Sequence, residues 1–73
     1  MTVKDLIVGD VVITSAGYPN IFLGLQGHKV NFRDGRDETR EFETEKKIIN
    51  LWLQDKKTLT VKRNHKQIWP EAS

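Results

Sequence analysis

Cysteine is missing from this 73-residue chain, which removes disulfide staples and thiolate metal sites. The fold must hold by a compact apolar core alone, built from a composition that is 37% apolar. Little apolar surface can then be spared to line a deep cleft. His28 and His65 are the only imidazoles, fewer than the three or four ligands a metal site takes, so no metal is expected. The serines, Ser15 and Ser73, lie outside any nucleophile elbow, and no glycine-rich loop is laid out to cradle phosphate. No run approaches the roughly 18 apolar residues of a membrane span. The opening Met1-Thr2-Val3-Lys4-Asp5 lacks the apolar centre of a secretory signal. These absences lead to the expectation of one domain over residues 1–73, cytoplasmic, away from membranes, without cofactor or catalytic residues.

What is present is patterned for strands. In Ile21–Gly35 two apolar runs flank Gln26-Gly27-His28-Lys29, and Val30 and Phe32 alternate with Lys29, Asn31 and Arg33. A period of two puts one set on each face of a strand, so the unit reads as a β-hairpin over Ile21–Leu25 and Lys29–Arg33. Upstream, Leu6–Val8 reads as a short entering segment, Gly9-Asp10 as a tight turn and Val11–Ser15 as the first full strand. Gly17-Tyr18-Pro19-Asn20 is a loop.

Between Arg36 and Lys47 only Phe42 is large and apolar. A short exposed strand over Thr39–Glu43 with Phe42 turned inward fits, as does a charged loop. The dense block Ile48–Leu53 can be read two ways. A helix from Thr44 to Gln54 gathers Ile48, Ile49 and Trp52 on one face. A strand turns Ile49, Leu51 and Leu53 inward and makes a hairpin with the cleanly alternating Thr58–Arg63. The β-branched content favours the hairpin. Ile68-Trp69-Pro70 then anchors a short tail, and Trp52 and Trp69 are expected in the core or its seams.

Five short strands with glycine-marked turns are what a small β-barrel requires. Val8-Gly9-Asp10-Val11-Val12, and Val30-Asn31-Phe32-Arg33-Asp34-Gly35 followed after a charged stretch by Ile48-Ile49-Asn50-Leu51, resemble the SH3-like barrels that include Tudor and KOW modules. The resemblance covers residues 6–53. It implies a mainly β, five-stranded barrel with a short C-terminal tail that binds RNA, DNA or peptide without catalysis. Methyl-reading Tudor domains carry an aromatic residue between the aspartate and the glycine of that bend, where Asp34 here meets Gly35 directly. Tyr18 and Phe22 remain as aromatic rings that could wall a cage.

Charge is unevenly spread. Residues 34–47 hold six acids against four bases, and residues 54–73 hold Lys56, Lys57, Lys62, Arg63 and Lys66 against Asp55 and Glu71. The interleaved acids suit a solvated surface, with no apolar flank to prepare one for acid catalysis. The basic hairpin and tail, with Asn64, His65 and Gln67 as amide and imidazole groups and Tyr18 as a stacking ring, form a candidate nucleic-acid surface. The alternative is a protein-interaction module or small regulator of the bacterial or phage accessory type, docking on a larger protein through a strand edge or the Tyr18 loop. A ring subunit assembled by edge-strand pairing is a third class.

Overall fold

The computed structural model describes residues 1–71; Ser73, weighed above, and the end of the tail lie outside them. A single 3-10 turn at Val3–Asp5 precedes the strands β1 (Val11–Thr14), β2 (Pro19–Gln26), β3 (Lys29–Asp34) and β4 (Glu41–Glu45). A helix, α1 (Lys46–Gln54), leads to β5 (Leu59–Arg63) and β6 (Lys66–Trp69). All six strands form one antiparallel sheet in the order β4-β3-β2-β1-β5-β6. The mainly β expectation holds, with three corrections. Among the described residues there are six strands where five were expected, and β4 and β6 are the edges, so the sheet does not close into a barrel.

The sixth strand replaces the expected tail. Asn64 (φ 53°) and His65 (φ 66°) both take the left-handed conformation, which a two-residue hairpin of type I′ needs at both central positions. Asn and His are among the side chains that enter this region most readily, and β6 then folds back so that Arg63 faces Lys66. The other correction concerns Ile48–Leu53, which is helical and not the first strand of a hairpin. Lys46 N–H still closes the β3–β4 ladder on the His28 carbonyl at 2.8 Å, so the chain passes from strand to helix without a loop. The helix has no side-chain cap, no acid in its first turn, and Lys46 and Lys47 against its positive end. Nine residues so equipped would not hold alone. Burial of Ile49 and Leu53 holds the helix in place.

The core lies between the sheet and these two helical pieces. Val12, Phe22, Val30, Phe32, Leu59 and Val61 come from one sheet face and meet Val3, Leu6, Ile49 and Leu53. The strand pairing lines up Phe22, Phe32 and Phe42 across β2, β3 and β4. A bulge between Phe22 and Gly24 bends β2, and Gly24 at φ 139° takes a conformation costly for any side-chain-bearing residue. At the other end of the core, Gly9 (φ 101°) closes the turn that brings Asp10 N–H to the Ile7 carbonyl at 2.9 Å. The charged stretch before β4 is ordered by its own acids. Asp34 accepts from Arg36 N–H, Asp37 accepts from the Thr39 amide and hydroxyl, and Asp34 N–H donates to the Arg40 carbonyl. The strand that follows is Glu41–Glu45, two residues later than the Thr39–Glu43 expected. No helix among the described residues is long and apolar enough to cross a membrane.

Candidate functional site

The phenylalanine ladder leads from the core to the surface. Phe22 and Phe32 meet edge to face with centroids 6.2 Å apart, and Phe32 and Phe42 stack at 5.6 Å. The first two rings are buried, but Phe42, on the edge strand, is 37% exposed. Phe42 faces inward as expected, and still meets solvent because among the described residues no strand lies beyond β4. Across from it stands α1. At about 100° per residue, Trp52 falls roughly 80° from the centre of the Ile49–Leu53 face. It therefore sits on the helix flank and is 45% exposed, contrary to the core or seam position expected of it. Between the two walls runs a groove of about 210 Å³, with Phe32, Ile49 and Leu59 in its lining and Glu43 and Thr44 on its margin.

Tyr18 extends this aromatic band. Its ring is 47% exposed, and the Arg36 guanidinium stacks over it at 4.1 Å. A second hollow of about 190 Å³ joins Tyr18, Arg36 and Arg40 to the groove through Asn20 and Phe42, which line both. The Asn20 side chain is fixed between the two, donating to the Val12 and Tyr18 carbonyls. Three aromatic rings open to solvent thus share one side of the molecule, with Asp34 and Glu43 set against Arg36 and Arg40 around them.

The five predicted cations do not gather in one place. Lys56 and Lys57 lie in the turn before β5 and Lys62 and Lys66 near its far end, about 13 Å further along at 3.3 Å per residue. Lys56 sits over the Trp69 ring at 5.6 Å. Arg63 is committed elsewhere. Its Nε and Nη2 donate to Asp10 Oδ1 and Oδ2 at 2.9 and 2.8 Å, and Nη2 also donates to the Asp5 carbonyl at 3.0 Å. Asp10 is 2% exposed, and its Oδ2 accepts the Ile7 N–H as well. The Arg63 hydrogen bonds hold the Asp10 carboxyl below its ordinary value of 3.8, against the opposing effect of burial, and the same pairing raises Arg63. The sequence reading counted Arg63 in the candidate nucleic-acid surface, and the structure places it in the frame. Lys62 and Lys66 are exposed, and Lys62, Asn64 and His65 share a hollow of about 400 Å³ with Gly9 and Val11. Among the described residues no three carboxylate, imidazole or thiol groups are placed to hold a metal ion.

Sequence reasoning singled out Tyr18 but missed Phe42 and Trp52 as surface groups. A signal for Trp52 was present: once Ile49 and Leu53 are taken as the i, i+4 pair of a helix, Trp52 lies on its flank. Comparison of the chain with the models of known protein families, with curated proteins and with solved structures finds no match.

Proposed function

We propose that this chain is a non-enzymatic binding module of the SH3-like type whose ligand is a segment of a larger protein, seated in the groove between β4 and α1. The observation that carries this reading is the pair of exposed aromatic walls, Phe42 and Trp52, on a groove with an apolar lining. Aromatic side chains already held in place by a fold dominate protein interfaces, because they remove large apolar area from water at small entropic cost. Trp52 is held by the docked helix and Phe42 by its stack on Phe32. The groove volume suits one or two apolar side chains and falls short of the few hundred cubic ångströms of a typical small-molecule pocket. The balanced charges around it favour a polypeptide over a polyphosphate.

The test is a peptide-display selection against the whole chain, followed by titration of the recovered peptides into Phe42→Ala and Trp52→Ala variants. Loss of about 2 kcal/mol of binding in either variant is expected for a hot spot. Peptides indifferent to both substitutions would refute the groove.

Binding of nucleic acid at the β5–β6 hairpin is the second reading. It is favoured by the hollow that Lys62 shares with Asn64 and His65, with Lys66 beside it. Oligonucleotide affinity would then fall with salt at a log–log slope near −0.7 per contacted phosphate on a single strand. Lys62→Glu and Lys66→Glu would weaken it for every sequence, and removal of the Tyr18 ring would matter only where a base stacks there. Arg63 is unsuited to this test, since its reversal would break the Asp10 pair. Absence of oligonucleotide binding at low salt would eliminate this reading.

A further inference from the structure

The groove has a neighbour on the other face of β4, and the strand between them has backbone groups to offer. Asp34 N–H donates to the Arg40 carbonyl and Lys46 N–H to the His28 carbonyl, with Phe32 opposite Phe42 and Val30 opposite Thr44 in the same ladder. Alternate residues of an antiparallel strand turn their N–H and C=O toward the partner and away from it. Phe42 and Thr44 therefore turn theirs to β3, while Glu41 and Glu43 turn theirs outward. Among the described residues no strand lies on that side, and Glu41, Phe42 and Glu43 are all exposed.

Side chains alternate as well. On the core face Phe42 looks into the apolar groove with Trp52 across from it. On the outer face Glu41 and Glu43 line a separate hollow of about 340 Å³ with Leu23 and Asn31. Charge on this face is only partly matched. Glu45 is paired to Lys29 at 2.6 Å and Glu41 lies 3.8 Å from Arg33. Glu43 faces Asn31 across the strands and has no ion-pair partner among the described residues.

Resting on the groove reading above, we propose that the ligand is an extended segment of a partner protein that adds as a seventh strand to β4, with apolar and basic residues in alternation. A strand laid along Glu41–Glu43 would bond to the outward backbone groups, drop its apolar side chains toward Phe42 and Trp52, and present its cations to Glu41 and Glu43. A single period of two satisfies both hollows, which a helix in the groove would not. A second copy of this chain does not fit the edge. Antiparallel self-pairing about Glu43 would set Glu43 against its own image and Glu41 against Glu45, and like charges directly opposite are destabilising. The same glutamates keep the free edge from templating aggregation.

The test uses the full chain, isotopically labelled, and a short blocked peptide of alternating lysine and valine. Binding should slow hydrogen exchange at the Glu41 and Glu43 amides by about tenfold or more, as new hydrogen bonds form there. Methylating the peptide amides that face β4 should weaken binding by about tenfold or more, and so should replacing its lysines by glutamates. The exposed substitution Glu43→Lys should narrow or invert the preference between the lysine and glutamate peptides. Equal affinity of the N-methylated peptide, or binding without protection at Glu41 and Glu43, would overturn strand addition. A helical leucine–lysine peptide that binds through Trp52 where the alternating one does not would also overturn it, and would leave the groove reading standing. Binders from the display selection that ignore Phe42→Ala and Trp52→Ala would remove the groove itself.

Discussion

At the seam of β1 and β5, a carboxylate and a guanidinium leave few strong hydrogen-bonding directions free: Asp10 receives two bonds from Arg63 and one from Ile7 N–H, and Arg63 spends a further one on the Asp5 carbonyl. At the margin formed by β4 and α1, among the described residues, Glu43 has no ion-pair partner, the outward backbone has no partner strand, and two aromatic rings meet water. Both regions border the same apolar core, so the contrast is one of satisfaction. The groups of the Asp10–Arg63 seam have their partners within the chain, and groups left open across the β4–α1 margin are free to serve something else.

The comparison breaks first at Asp10. Asp10→Ala leaves a guanidinium without its carboxylate and an Ile7 N–H without its acceptor, and should cost about 3–5 kcal/mol in urea denaturation. A cost below about 1 kcal/mol would mean that the seam is no more structural than the margin. The pH dependence has a definite sign. The folded Asp10 binds its proton less readily than the unfolded one, so its contribution is complete above the ordinary value of 3.8. It is lost as pH falls through the lower folded value, and Asp10→Ala should flatten stability in that acidic window.

Trp69→Ala comes next. Trp69 lies opposite Val61 and packs on the core from β6, half-buried, so the loss should sit near the lower end of the range for tryptophan, about 3 kcal/mol. Thermal unfolding measures it directly, and an unchanged midpoint would show that Trp69 adds nothing to the core. The smallest effect is predicted on the open margin. Trp52→Ala should change stability by less than about 1 kcal/mol, because a flank position 45% exposed leaves only part of the ring to lose. A cost like that of Trp69 would erase the distinction between the two tryptophans and with it the case for the groove.

Alternation made most of the sheet legible. Val30 and Phe32 against Asn31, and Leu59 and Val61 against Thr60, announce strands because one face of each is buried and the other is not. The helix, one of the two readings open from Thr44 to Gln54, ranked second because Ile48 and Ile49 are β-branched and its Lys46–Lys47 start has no side-chain cap and no acid in the first turn. Its stability comes from packing that no local window contains. The last strand was hidden by Asn64-His65, which turns the chain without a glycine, and by the polar Lys66 and Gln67. The site was the least readable part. Phe42 was correctly turned inward, but whether an inward ring on a strand is covered depends on whether another strand lies beyond it. That depends on the order of strands in the sheet, which local alternation does not encode.

One hydrogen bond gives the groove a remote indicator. Val3 N–H, in the 3-10 turn, donates at 2.8 Å to Oδ1 of Asn50, two residues before Trp52 on the same helix. The exchange rate of that single amide proton therefore reads out how firmly the groove wall is docked. Any segment that clamps α1 against β4 should lengthen the lifetime of the Val3 proton without touching it.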